Sequence, residues 1–301
     1  MTGMPKIREG RAAQRNDGPV GGAFLAISRI LGVIACVCVF VSAAPCAIAQ
    51  DADTLLKPVT PPSADHPLKE LLPGYAFQSQ AIRQIQDDDF KNPGMLWYRM
   101  SERLWSEVAG EAGKSCAACH NRAERAMRGV AARYPAFDPA SGKVINLEQR
   151  INNCRTLNMK APAWPWQSDA LKAMSVYVRA QSRGIPVRVK VDGQAASFFE
   201  AGKAYYYRRR GQLNLSCAGC HQLNAGKKLR ATTLSQGQSN GYPAYSIGLE
   251  TVETLHGRFR RCNVLVRAEP EALGSDVYVN LELYLAWRGA GLPVTTPAVR
   301  N

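Results

Sequence analysis

Apolar residues at Leu96, Trp97, Met100, Leu104 and Trp105 recur every three or four positions, so 94–108 predicts a helix with one buried face. The interval 122–133 also reads as helical, and Pro135, Pro139 and Gly142 break it. Two more helices are expected at 147–154 and 169–183, on either side of the loop Pro162-Ala163-Trp164-Pro165-Trp166. Strand-like alternation is confined to Val187-Arg188-Val189-Lys190-Val191, which is short and lies between two longer patterns; it reads as a linker. Ahead of the helices, 50–67 carries Pro58, Pro61, Pro62 and Pro67 among polar residues and predicts an extended arm with no core of its own.

The pattern is then written a second time. Ser168-Asp169 recurs as Ser275-Asp276, Tyr177 as Tyr284, and Gly184-Ile185-Pro186-Val187 as Gly291-Leu292-Pro293-Val294, all at an offset of 107. The serine suits a helix N-cap and the glycine a left-handed position just past the helix end, where proline forbids continuation. Ser115-Cys116 recurs as Ser216-Cys217 at an offset of 101, and Arg150-x-x-x-Cys154 as Arg258-x-x-x-Cys262 at 108. The aromatic helix returns as Phe198, Phe199, Tyr205 and Tyr206, so the chain is a tandem duplication.

What is duplicated is a chemical unit. Cys116-Ala117-Ala118-Cys119-His120 and Cys217-Ala218-Gly219-Cys220-His221 are both C-x-x-C-H, the attachment sequence of c-type haem. Cys116 and Cys119, and Cys217 and Cys220, would form thioethers to one porphyrin edge, leaving His120 and His221 as proximal iron ligands. A zinc or redox dithiol would need ligands or a βαβ context that the sequence lacks. Helix, haem sequence, loops, ligand segment and terminal helix is the order of a small cytochrome c domain. The expected architecture is therefore all-α, two tandem cytochrome c-type haem domains at 68–186 and 187–301, with two covalent haems.

Composition narrows where such a protein works. Residues 1–49 read as a cleavable export signal: a basic start, an apolar run at 30–44 too short to span a bilayer, and a small-residue end at Ala47-Ile48-Ala49. The expected compartment is the periplasm. Of the net charge of +14, this leader accounts for +3, and the remainder stays strongly basic. Outside the cytoplasm that charge points to an anionic substrate or an acidic protein partner and away from nucleic acid. Of nine cysteines, three leave with the leader and four are taken by haem. Cys154 and Cys262 remain.

Those two decide the sixth iron position. No methionine follows His221, and the first half has Met127, Met159 and Met174 but no spare histidine after His120. Cysteine alone is available at matched places, 34 residues beyond His120 and 41 beyond His221. Axial thiolate is the expected role of Cys154 and Cys262; a disulfide between them, two buried free thiols, or His256 in place of Cys262 are the competing readings. If helical, Arg258 and Cys262 share one face, and Arg258 with help from Arg260 or Arg261 would make an anion site beside a sulfur ligand. The run Tyr205-Tyr206-Tyr207-Arg208-Arg209-Arg210 is assigned to partner docking.

On these residues the chain resembles the dihaem A subunit of the Sox thiosulfate-oxidising cytochrome complex, over essentially the whole mature length, including Arg258-x-x-x-Cys262-Asn263. The resemblance implies His/Cys ligation of both haems, Cys262 as the catalytic residue able to carry a persulfide, and Arg258 as the substrate-binding arginine. It implies L-cysteine S-thiosulfotransferase activity on thiosulfate, a small monohaem cytochrome c as partner subunit, a sulfur-carrier protein with a reactive cysteine, and a soluble cytochrome c acceptor. Two other activities fit the same motifs: a dihaem electron carrier, and a thiosulfate dehydrogenase that joins two thiosulfates to tetrathionate. A dihaem peroxidase fits less well, because it needs an iron with an open site.

Overall fold

The computed structural model describes residues 52–301; the expected leader and Cys36, Cys38 and Cys46 lie outside the described residues. In the first half, α1 (Gln80–Asp87) and α2 (Met95–Ser106) precede the first C-x-x-C-H segment, which forms α3 (Cys116–His120), and α4 (Ala123–Ala126) follows. A hairpin of β1 (Ala136–Asp138) and β2 (Lys143–Ile145) leads into α5 (Leu147–Asn153), and α6 (Asp169–Ala180) ends the half. The second half runs α7 (Ala196–Tyr207), α8 (Cys217–His221), β3 (Lys228–Leu229), β4 (Thr232–Thr233), β5 (Ala244–Ser246), β6 (Thr251–Glu253), α9 (Leu255–Leu265), α10 (Asp276–Arg288) and β7 (Ala298–Arg300). Among the described residues no helix is long and apolar enough to cross a membrane.

The expectation of an all-α chain needs correction. Helices carry the core, but β1 pairs with β2, β3 pairs with β4, and β5 is flanked by antiparallel β6 and parallel β7. Each strand has two or three residues, too few for an alternating pattern to register in the sequence. The helix expected at 122–133 is also broken: α4 stops at Ala126, and Gly129 takes φ +73° before a 3₁₀ turn at Ala131–Arg133. The alternating 187–191 segment forms no strand, as its reading as a linker requires.

Serine caps start the paired elements. Ser115 and Ser216 accept hydrogen bonds from the N–H of Ala118 and Gly219, and Ser168 and Ser275 from those of Leu171 and Tyr278. Gly184 and Gly291 follow the terminal helices at φ +82° and +92°. α2 packs on α6, and α7 packs on α10. At the first crossing Ser101 is fully buried; at the second, a Cβ on Gly202 would strike the backbone of Asn280. Small residues at these matched places let each helix pair approach. One apolar cluster gathers Trp105, Met127, Leu147, Met174 and Tyr177, and a second gathers Phe199, Tyr206, Phe259, Tyr278 and Tyr284.

The two copies meet through matched residues. Gly184 N–H donates to Val294 O (3.0 Å) and Gly291 N–H to Val187 O (2.9 Å); Val294 N–H donates to Ile185 O (3.0 Å) and Val187 N–H to Leu292 O (2.9 Å). Each bond has its counterpart 107 residues away, the reciprocity of a two-fold contact written within one chain. The proline-rich arm wraps the second half, as a segment without its own core must. His66 Nε2 donates to Arg288 O (3.1 Å) and its ring lies 4.9 Å from that of Trp287. Leu72 N–H donates to Gln236 Oε1 (2.8 Å).

Behind this contact lies a buried charged cluster. Glu282 of α10 bonds Arg179 of α6 (3.0 Å) and Asn146 (3.0 Å), and lies 3.2 Å from His256 of α9. His256 Nδ1 accepts the Gly274 N–H, so Nε2 carries the proton facing Glu282. Glu148 of α5 completes the group, six residues before Cys154 as His256 is six before Cys262. Burial opposes the charge on Glu282, but the His256 hydrogen bond and Arg179 outweigh it and hold its pKa low. Glu148 Oε2 has no hydrogen-bond partner, and burial pushes its pKa up. A raised acid costs stability as pH climbs from its unfolded to its folded pKa. Glu148→Gln has no proton to lose, so it should match the parent near pH 4 and exceed it near pH 7 in denaturant midpoint. A parent that is the more stable at pH 7 would contradict this.

Candidate functional site

Both C-x-x-C-H segments fold as single helical turns capped by serine, which fixes both thiols and the imidazole relative to one another. In the second, His221 Nδ1–H donates to Ser235 O (2.8 Å), leaving Nε2 with its lone pair free. The loop closes on the ring because residue 237 is glycine: it takes φ +78°, and a Cβ there would lie 2.9 Å from both Cβ and Cγ of His221. Burial pulls the His221 pKa below its ordinary value, which keeps the imidazole neutral as a metal ligand must be.

Cys217, Cys220, His221, Tyr242, Arg258 and Cys262 line one cavity with about 1470 Å³ of empty space, part of it open to solvent. Two thiols on one side, an oriented imidazole and a further thiol on α9 are the donor set that a covalent porphyrin with two axial ligands requires. The residues present fit a c-type haem. His256 does not line this cavity; it is 1% exposed, engaged by Glu282 and Gly274 and stacked on Trp166 at 5.4 Å. Besides the attachment pair Cys217 and Cys220, Cys262 is the cysteine that lines this cavity among the described residues.

α9 also presents Arg258, half-buried on the cavity wall. Its pKa is held above the usual arginine value, chiefly by the neighbouring Cys262 and then by Tyr242. Among the described residues no carboxylate lies within ion-pair distance of it. The expected helpers stand elsewhere: Arg260 is exposed and Arg261 pairs with Glu253 at 3.3 Å, and neither lines the cavity. Arg260, at i+2, falls on the side of α9 away from Arg258, and Arg261, though at i+3, is drawn to Glu253. Arg300, from β7 at the far end of the chain, lines it instead. No spacing rule points to a residue brought in by a three-residue parallel strand.

The first unit gathers the same residue types with a different outcome. Cys154 closes α5 and opens a π-helical segment, Cys154–Asn158, beside Cys116 and Cys119. Such widened turns recur at functional sites. Its thiol pKa is pushed up by burial and drawn back by Arg150. Arg150, the counterpart of Arg258, is spoken for: Nη2 lies 2.6 Å from Asp138 and Nε donates to Tyr134 Oη (3.0 Å). Trp164, held by two hydrogen bonds to Asn152, stacks on Arg155 at 3.7 Å. Met127, Met159 and Met174 are buried, Met127 and Met174 within the first apolar cluster. No two of the described cysteines are joined in a disulfide, Cys154 and Cys262 included. The 205–210 run divides: Tyr205 and Tyr206 are core, Arg210 folds over Tyr205 at 3.7 Å, and Arg208 and Arg209 stay at the surface.

Comparison with known proteins places this constellation. Residues 100–187 match the family model "SoxA/TsdA, cytochrome c domain". The L-cysteine S-thiosulfotransferase subunit SoxA of Pseudaminobacter salicylatoxidans is 43% identical over 237 residues, spanning 78% of this chain and 83% of that protein. The chain belongs to the SoxA family. The SoxA of Paracoccus pantotrophus is 42% identical over 76% of this chain and 78% of its own. The crystal structure of SoxXA from P. pantotrophus superposes with a TM-score of 0.78 at 40% identity, covering 82% of this chain and 94% of that one. Membership brings covalently bound c-type haem, which agrees with the donor set of the second cavity.

Proposed function

We infer that this SoxA-family chain is the catalytic subunit of an L-cysteine S-thiosulfotransferase, coupling thiosulfate to a cysteine thiol of a sulfur-carrier protein. The observation that carries the reading is the contrast between two matched arginines. Arg150 is paired with Asp138 at 2.6 Å, whereas Arg258 stands beside Cys262 in the cavity with no carboxylate within ion-pair distance among the described residues; Glu253, which pairs with Arg261, acts on it only through its field. A planar guanidinium offers paired donors to an oxyanion.

Two tandem cytochrome c units, 68–186 and 187–301, hold one haem each. Cys116, Cys119, Cys217 and Cys220 would form the thioethers, His120 and Cys154 would hold the first iron, and His221 and Cys262 the second. Bound haem supplies a one-electron acceptor through which electrons leave. Arg258 binds the sulfonate of thiosulfate and presents its outer sulfur to Cys262. The Cys262 thiolate and thiosulfate join in an S–S bond with loss of two electrons, giving a cysteine thiosulfonate. The carrier thiol then attacks the outer sulfur, takes over the thiosulfonate, releases the Cys262 thiolate and loses one proton. A small monohaem cytochrome c is the partner subunit, a soluble cytochrome c takes the electrons, and the periplasm is the compartment; the basic net charge and the SoxXA neighbour support this.

The matched arginines give the test. Arg258→Ala should lower kcat/KM for thiosulfate by roughly 10- to 100-fold, the scale of a lost charged hydrogen bond. Arg150→Ala should leave that ratio within about threefold and lower thermal stability, because it strands Asp138. Equal losses in the two variants would remove the asymmetry on which the reading rests.

A further inference from the structure

A buried cation that the sulfur-transfer scheme does not use stands behind the second haem sequence. Arg288 closes α10 and is 0% exposed. Its guanidinium lies over the Tyr206 ring at 4.6 Å. Nη1 donates to Gln222 Oε1 (3.5 Å) and Nη2 to Gln236 O (3.3 Å). Gln222 follows His221 in the chain, and Gln236 follows Ser235, whose carbonyl receives the His221 Nδ1–H. One guanidinium therefore reaches both segments that hold the imidazole. The arm fixes the same loop from another side: Gln236 Oε1 accepts the Leu72 N–H, and Gln236 Nε2 donates to Glu70 O (3.0 Å).

A charge taken this far from water ordinarily has a counter-charge. Among the described residues no carboxylate lies within ion-pair distance of Arg288, and its Nε has no hydrogen-bond partner there. Two neutral acceptors, an aromatic face and the carbonyl end of α10 hold the cation without cancelling it. Its field reaches His221, adding to burial and to Arg258 in disfavouring a protonated ring. The repeat supplies a contrast. At the offset of 107 that relates the terminal helices, the place of Arg288 is taken by Gln181, a neutral amide that donates to Tyr177 O (3.0 Å) and Tyr98 Oη (3.4 Å).

We propose that Arg288 tunes the second haem from behind His221, as a fixed buried cation that raises the reduction potential of that haem and has no equivalent in the first unit. Reduction leaves an iron site one charge less positive, so a cation nearby in a low-dielectric interior favours the reduced form. The potential rests on His221 as the ligand of a second haem. Its consequence, that the haem beside Cys262 more readily takes the electrons released on S–S bond formation, rests on the sulfur-transfer reading.

The test uses the full-length haem-loaded chain with its cytochrome partner, as wild type, Arg288→Gln, which installs the first unit's residue, and Arg288→Lys. Haem content is read from the pyridine haemochrome spectrum, and midpoint potentials from a redox titration followed by electron paramagnetic resonance. Cys262→Met, which alters one low-spin signal, marks the second haem. Arg288→Gln should keep both haems, lower the midpoint potential of the second and leave the first unchanged. Arg288→Lys keeps the charge without the planar fork and should stay closer to wild type. Arg288→Met, packed under Tyr206, gives the same reading where the amide does not fold. An unchanged second potential in Arg288→Gln or Arg288→Met with full haem content would overturn the proposal, and so would equal falls in Arg288→Gln and Arg288→Lys, which would reduce Arg288 to a support for the loop. The expected shift in a complex that does not turn over thiosulfate would uphold the role of Arg288 and sink the sulfur-transfer reading alone.

Discussion

Cys262→Met should retain its full complement of covalent haem and lose turnover with thiosulfate and a carrier thiol by about 10³-fold or more. The two halves of that result come from different residues. Haem attachment depends on Cys217 and Cys220 in the capped α8 turn, and on His221 held by Ser235 and Gly237, none of which is altered by the substitution. Methionine keeps a sulfur on α9 in the same cavity, yet a thioether has no ionisable sulfur with which to form the S–S bond. Arg258 would still hold thiosulfate, so binding by calorimetry should stay within about threefold while turnover vanishes. Haem content is read from the pyridine haemochrome spectrum, and turnover from reduction of a soluble cytochrome. Near-normal turnover would remove Cys262 from the chemistry.

The largest structural effect is expected at the buried cluster between the halves. Glu282 is 3% exposed and is the common partner of Arg179, Asn146 and His256. Glu282→Ala strands the Arg179 guanidinium away from water and should cost about 3–5 kcal/mol in denaturant unfolding. Much of that cost belongs to the uncompensated cation. The double substitution Arg179→Leu with Glu282→Leu should therefore recover a large part of the loss, because two packed apolar side chains replace a desolvated pair. His256 is part of the same cluster and sits on α9 two residues before Arg258, so loosening it should also raise KM for thiosulfate. A Glu282→Ala chain as stable as the parent would show that the cluster contributes little to joining the halves.

Local chemistry made much of this architecture legible in advance. Both haem sequences, the serine caps at Ser168 and Ser275, the left-handed Gly184 and Gly291 and the matched cysteines each depend on neighbours a few residues away, which is the range over which capping and helical periodicity act. What stayed hidden depends on distant partners. β7 is placed by pairing with β5 more than fifty residues earlier, so neither the strand nor Arg300 leaves a local trace. The ion pair that retires Arg150 comes from Asp138 on a three-residue strand, and the π turn at Cys154 follows a capping box that predicts only an ordinary helix. Arg258 and Cys262 were readable as a site because i and i+4 is a helical rule; the presence of Arg300 in their cavity was not.

The most direct measurement follows the sulfur. The haem-loaded complex is turned over with isotopically labelled thiosulfate, an oxidised cytochrome acceptor and a carrier protein, and the products are read by mass spectrometry. The account predicts label on the carrier cysteine as a thiosulfonate, two acceptor equivalents reduced per transfer, and none of this with Cys262→Met. Label recovered as tetrathionate, at the same rate with or without the carrier, would contradict transfer to a protein thiol and leave a thiosulfate dehydrogenase in its place.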